Sequence, residues 1–221
     1  MTLQTIELTT TDTPSATIIV LHGLGADGTD FLSMADEVDL SAIGPVRWVL
    51  PRAPVRPVTI NNGYPMRAWY DILAADLVRR EDESGLRDSV ALVHGLLDRE
   101  IARGVPARRI VLAGFSQGCA ITLAAGLRYP HRLAGLAGLS GYLPLSDRTA
   151  AEAQAANRDV PIFQAHGRND GVVTMSRGSA ARDQMKGLGY AVEWHDYPME
   201  HSVCIEEVAA LQAWLRRVLA G

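Results

Sequence analysis

Apolar and polar positions along this chain switch between two periods. Short runs dense in aliphatic and β-branched residues occur at 17–21 (TIIVL), 46–50 (VRWVL), 109–113 (RIVLA), 133–139 (LAGLAGL), 160–165 (VPIFQA) and 191–197 (AVEWHDY). Each is short enough, and uniform enough, to be a strand buried on both faces. Residues 3–8 instead alternate polar with apolar, as an edge strand with one wet face does. Between the runs the spacing becomes helical. In 84–103, Leu86, Val90, Val93, Leu97 and Ile101 recur every three or four residues, and Gly104 and Pro106 end the pattern. Val208, Leu211, Leu215 and Val218 repeat that period near the C-terminus, with Glu206 and Glu207 in the first turns and Arg216 and Arg217 in the last, as a helix dipole favours. Further helices fit 29–38, 117–129 and 175–187.

Strands and helices in alternation predict an α/β protein: one compact domain over 1–221, with a mostly parallel central sheet and helices on both faces. No internal repeat or low-complexity tract interrupts it. One long stretch, 51–82, carries Pro51, Pro54, Pro57, Pro65, Asn61, Asn62 and Gly63 and reads as irregular. A loop of that length inside a compact domain is usually functional, so it is expected to wall a site.

Composition narrows the function. The chain has 221 residues, 48% of them hydrophobic and 21% charged, and a net charge of −4. That is ordinary for a soluble globular protein and leaves no basic footprint for nucleic acid. The uncharged run 110–127 is long enough to span a membrane, but Gly114, Ser116, Gln117 and Gly118 near its centre break the apolarity, so it reads as a strand followed by a helix. No stable membrane insertion is expected, and no secretory signal is visible at the N-terminus. Cys119 and Cys204 are too few for a disulfide framework. The expected setting is the cytoplasm.

Those same central residues carry the chemistry. Gly114-Phe115-Ser116-Gln117-Gly118 has the form G-x-S-x-G, directly after the strand RIVLA and directly before a helical run. This is the strand–turn–helix setting of a nucleophile elbow, in which a strained turn presents the serine hydroxyl. The bland alternative is a Gly-Ser turn with no chemistry. A serine needs a base, and the base an orienting acid, in the chain order Ser, Asp or Glu, His. Of the histidines downstream, His166 closes a strand and His195 lies inside one, whereas His201 falls in the loop before the last helix, at the sheet edge where sites belong. Among acids, Asp170 lies just past the strand VPIFQA and is preferred over Asp147, placed to cap a helix, and Asp196, too near His201 in sequence. His22-Gly23-Leu24-Gly25 follows the strand TIIVL, so that a backbone N–H can point inward; the second oxyanion donor is the N–H of Gln117. His22 itself reads as an organiser of that loop. Trp69, Tyr70, Ile72 and Leu73 are either an apolar pocket wall or a satellite core.

Five segments in this order, LHGLGADGTDF, MRAWYDI, GFSQG, HGRNDGVV and EWHDYPMEH, resemble the bacterial carboxylesterases related to acyl-protein thioesterases and lysophospholipases. The resemblance covers nearly the whole chain. It implies a compact α/β-hydrolase fold, no cofactor and no metal, and hydrolysis of short- to medium-chain acyl esters by a serine carboxylesterase. The alternatives within it are an acyl-protein thioesterase or a lysophospholipase. Carried over by position, Ser116 is the nucleophile, Asp170 the acid and His201 the base. Leu24 and Gln117 supply the oxyanion N–H groups, and Trp69 lies beside the acyl pocket; Leu73, from the apolar wall read above, is expected to bind substrate there as well. The partner is a small acyl ester or thioester, and an apolar mouth would also favour a homodimer. Two positions depart from the resemblance: Cys119, expected to pack as a small apolar residue, and Glu200, a carboxylate next to the base that is expected to face solvent. A non-catalytic, ligand-binding member of the same fold is the reading from another class.

Overall fold

The computed structural model describes residues 3–74 and 81–220. Among the described residues, seven strands form one sheet in the order β1-β3-β2-β6-β7-β8-β9: β1 (Thr5–Leu8), β3 (Val46–Pro51), β2 (Ala16–Leu21), β6 (Ile110–Phe115), β7 (Gly135–Leu139), β8 (Ile162–Gly167) and β9 (Val192–Tyr197). Only β1 is antiparallel to its neighbour, pairing Thr5 with Pro51 and Leu8 with Trp48; every other pairing is parallel. This is the mostly parallel sheet that the alternation of elements predicts, and it agrees with the α/β-hydrolase fold that the resemblance implies.

Both faces of the central strands are buried because successive side chains point to opposite sides. In β2, Ile19 and Leu21 join the core under α2 (Glu83–Ala102), α3 (Gln117–Arg128) and α5 (Met175–Gly187), while Ile18 and Val20 join the core under α1 (Leu32–Glu37) and α6 (Ile205–Leu219). In β6, Ile110 and Leu112 face the first core and Val111 and Ala113 the second. With no wet face, these strands read as continuous apolar runs.

Helix ends follow their caps. Asp82 accepts from the N–H of Gly85 at 2.9 Å and starts α2. The helix expected at 29–38 divides instead: Asp27 caps a 3₁₀ turn at Gly28–Phe31, and α1 begins only at Leu32. A short helix, α4 (Ser146–Glu152), has no counterpart among the expected helices, although Asp147 does sit in its first turn.

The stretch 51–82 differs most from its expectation. It is not irregular throughout, since β4 (Val55–Val58) and β5 (Tyr64–Arg67) form a separate antiparallel hairpin in which Pro57 faces Pro65. Neither proline has an N–H to donate, and a two-stranded pairing accepts them at edge positions. Asn62 and Gly63 make the turn with positive φ. Residues 75–80 of the expected wall lie outside the described residues. No described helix is long and apolar enough to cross a membrane.

Candidate active site

Ser116 lies between β6 and α3 with φ 56 and ψ −118, a conformation L residues rarely adopt. Its N–H donates to the carbonyl of Leu139 at 2.9 Å, which extends the β6–β7 pairing to the turn itself. The flanking glycines are required by space. A Cβ on Gly118 would collide with the carbonyls of Leu21 and His22, and one on Gly114 would meet the carbonyl of Gly118. Helix and strand therefore approach closely enough to force the bend, and the hydroxyl stands at its apex.

Two loops at the same sheet edge meet this hydroxyl. His201 Nε2 lies 2.8 Å from Ser116 Oγ, and His201 Nδ1 lies 2.6 Å from Asp170 Oδ2. Asp170 is 5% exposed, and its other oxygen accepts from the N–H groups of Val172 and Val173, both at 2.8 Å. A carboxylate so held fixes the proton on Nδ1, which leaves Nε2 as the acceptor for the serine O–H. The loops are also tied to one another: Arg168 N–H donates to Tyr197 and Asn169 N–H to Met199. Phe115 packs on the imidazole, with ring centroids 4.8 Å apart. The arrangement can pass a proton from an alcohol to an imidazole while the carboxylate holds the ring.

The rival residues take other hydrogen-bond partners, although His166 Nε2 also lies 3.5 Å from Asp170 Oδ2. His166 is buried and donates from Nε2 to the carbonyl of Val173 at 2.7 Å, so it anchors the loop that carries Asp170. Burial lowers its pKa, which keeps it neutral. His195 bonds Glu193 and stacks on Phe163; Asp196 pairs with Arg168; Asp147 pairs with Arg148. Glu200 is exposed, and Cys119 is fully buried. Both cysteines are free thiols. Among the described residues, no group of three or more His, Cys, Asp or Glu side chains is placed to hold a metal ion.

The turn at 22–25 is next to Ser116: a Cβ on Gly23 would touch the serine Cβ at 3.4 Å. His22 Nδ1–H donates to the carbonyl of Gly23 at 2.7 Å, and its Nε2 accepts from the N–H of Ala53 at 3.0 Å. Burial lowers its pKa, and the neutral ring matches this donor–acceptor pairing. Because a peptide unit is planar and trans, fixing the carbonyl of Gly23 also fixes the N–H of Leu24 on the opposite side. Among the described residues, neither that N–H nor the N–H of Gln117, first in α3, has a backbone or side-chain acceptor.

Beside these groups lies a cleft of about 420 Å³ lined by Leu24, Phe31, Phe115, Val172 and Val203 along with Ser116 and His201. A second hollow of about 390 Å³ shares Phe31 and Val203 and continues past Cys204 to Val208. Two larger hollows, over α2 and at the outer edge of β9, have no serine, cysteine or histidine in their linings. Trp69 and Leu73 do not line the cleft. Leu73 is half-buried; Trp69 is fully buried, donating from Nε1 to the carbonyl of His22 at 2.9 Å and from its backbone N–H to Gln117 Oε1 at 2.8 Å. Periodicity gave no sign of this link. The only hint in the sequence was a glutamine within an otherwise apolar run.

One further buried acid lies near the His201 loop. Glu207, in the first turn of α6, is fully buried, and neither carboxyl oxygen has a partner in good hydrogen-bond geometry. Burial raises its pKa from 4.5 to about 8, opposed only in part by the backbone N–H of Cys204. The folded protein therefore keeps a proton that the unfolded chain loses above pH 4.5. Its contribution to stability is full below that value and is lost as pH rises through about 8. Glu207→Gln, which keeps the shape and removes the titration, is expected to stabilise the fold by on the order of 3 kcal/mol at pH 7 and by little at pH 4.5. Urea unfolding at the two pH values checks this, and equal gains at both would reject it.

The chain is similar over nearly its whole length to known proteins. A family model described as phospholipase/carboxylesterase matches residues 5–219. Acyl-protein thioesterase 1 of Neurospora crassa is 42% identical over 210 residues, covering 91% of this chain and 86% of that protein. Its counterpart in Yarrowia lipolytica is 38% identical over 208 residues, covering 91% of each. The crystal structure of Arabidopsis thaliana SOBER1 superposes with a TM-score of 0.87 at 34% identity, covering 92% of this chain and 99% of that one. These relatives are fungal and plant proteins, so the matches carry the family and not a bacterial branch of it. On sheet order, elbow and full-length similarity together, the chain belongs to the phospholipase/carboxylesterase family.

Proposed function

We propose that this protein is a serine hydrolase that cleaves acyl thioesters on proteins, and the matching oxygen esters more slowly. The observation that carries the proposal is the unbroken series Ser116 Oγ–His201 Nε2, 2.8 Å, and His201 Nδ1–Asp170 Oδ2, 2.6 Å. In this reading Ser116 attacks the acyl carbon while His201 takes the hydroxyl proton. The N–H groups of Leu24 and Gln117 receive the negative charge on the carbonyl oxygen. Collapse breaks the bond to sulfur, and His201 gives the proton to the departing thiolate, which leaves as the thiol. Water then repeats the sequence on the acyl-serine, releasing the carboxylic acid and restoring the hydroxyl. Phe31, Val172 and Val203 offer the acyl chain an apolar bed along the cleft.

The motifs alone favour a short- to medium-chain carboxylesterase. The thioester reading is placed ahead of it because the fungal relatives carry the name acyl-protein thioesterase. The carboxylesterase reading keeps specific support from the relative named carboxylesterase SOBER1, 35% identical over 207 residues. Matched thioesters and oxygen esters of graded chain length separate the two, with Ser116→Ala as the blank. We expect kcat/KM about tenfold higher on sulfur esters. Each methylene that enters the cleft should add up to about tenfold more until the cleft is filled. Faster turnover of the oxygen esters would transfer the assignment to the carboxylesterase reading, and no turnover of either would reject both.

A further inference from the structure

The two proposed oxyanion donors lie on separate parts of the chain, Leu24 on the turn after β2 and Gln117 at the start of α3. Their separation has to be held by something, because a donor displaced from the developing charge loses most of its effect. Trp69 bridges them. Its indole N–H donates to the carbonyl of His22, whose ring fixes the Leu24 peptide, and its backbone N–H donates to the side-chain oxygen of Gln117. The Gln117 amide uses its other end as well, donating from Nε2 to the carbonyl of Tyr70 at 2.7 Å. Ser89, on α2, donates to the carbonyl of Trp69 and ties the bridge to the body of the protein. Trp69 and His22 are fully buried and Gln117 is 4% exposed, so no water competes for these bonds.

We propose that Trp69 and the side chain of Gln117 are positioning residues, forming a brace that sets the distance between the N–H of Leu24 and the N–H of Gln117. The proposal rests on the serine-hydrolase reading above. The two links act in series, turn to tryptophan and tryptophan to elbow, so breaking either one releases the brace. This explains why a glutamine occupies a buried run where packing alone would favour an apolar residue.

A double-mutant cycle on the full chain tests it. Trp69→Phe removes the indole N–H, Gln117→Met removes the amide at similar length, and the third variant carries both. Wild-type turnover and an inert Ser116→Ala first establish the underlying reading; their failure would reject that reading by itself. Each brace variant is then expected to lose about tenfold in kcat, with KM changed less than twofold. That is a fraction of the roughly hundred- to thousandfold that complete loss of a donor costs. The double variant should lose about the same tenfold, because links in series break only once. Affinity for a trifluoromethyl ketone, which forms the oxyanion on Ser116, should fall by the same factor as kcat/KM. A hundredfold loss in the double variant, kcat within twofold of wild type in both single variants, or unchanged ketone affinity would each overturn the brace. Thermal melts confirm that the variants compared are folded. If Trp69→Phe fails to fold, Gln117→Met and Gln117→Leu carry the ketone comparison, with the same results deciding it.

Discussion

Replacing Ser116 by alanine is expected to lower kcat/KM by roughly 10⁵- to 10⁶-fold while leaving the fold in place. In the proposed mechanism the attacking oxygen is lost, and what remains is the modest acceleration from binding and oxyanion contacts. The backbone at 116 makes the experiment more informative than a simple knockout. With φ 56, the residue occupies a conformation that costs on the order of 1–3 kcal/mol for any side chain with a Cβ. Alanine retains that strain, so its melting temperature should stay close to wild type. Glycine removes it, so Ser116→Gly is expected to be equally inactive and about 1 kcal/mol more stable. Kinetics on a thioester and thermal unfolding of the three proteins check both halves. Activity within a hundredfold of wild type in either variant would remove Ser116 from the reaction. Equal stability of the glycine variant would show that the elbow stores no strain.

The elbow that carries this strain is legible in the sequence. A serine two residues from each of two glycines, after one apolar run and before another, has few physical explanations, and Gly114 and Gly118 prove to be the points where backbone meets backbone. The choice of His201 over His195 was also legible, because a side chain inside a strand points off the sheet face and one in the following loop reaches the edge. The sheet was readable for the same reason: Ile18 to Leu21 are buried in both cores, so no polar alternation hid them. What stayed hidden depends on contacts distant in sequence. The indole of Trp69 meets a carbonyl 47 residues away, and no local pattern marks that. Glu207 looked like an ordinary acidic first turn because burial of a helix terminus depends on what packs over it. The hairpin of β4 and β5 escaped because its prolines argue against strands in general and tolerate only this edge geometry. Composition shows where the chain is apolar; it does not show which buried polar atoms find each other.

The sharpest remaining test falls on Asp170, where a change of one atom has a defined structural consequence. Oδ1 accepts two backbone N–H groups, from Val172 and Val173, and Oδ2 faces His201 Nδ1. In Asp170→Asn, the two N–H donors require the carbonyl oxygen on their side, so the new NH₂ group is turned toward Nδ1. Two donors cannot face each other. The imidazole then moves its proton to Nε2, and the nitrogen that accepted from Ser116 becomes a donor. The serine keeps its position and loses its base. A fall in kcat/KM of about 10⁴-fold is expected, the scale such an exchange has in a Ser-His-Asp triad. The melting temperature should move little, because both backbone bonds survive. Asp170→Ala removes those bonds too, so it should match the loss of activity and also destabilise the loop at 167–174. Measuring both variants separates tautomer from architecture. If the asparagine variant turned over within tenfold of wild type, the imidazole would not depend on this carboxylate, and the relay from Asp170 through His201 to Ser116 would have to be abandoned.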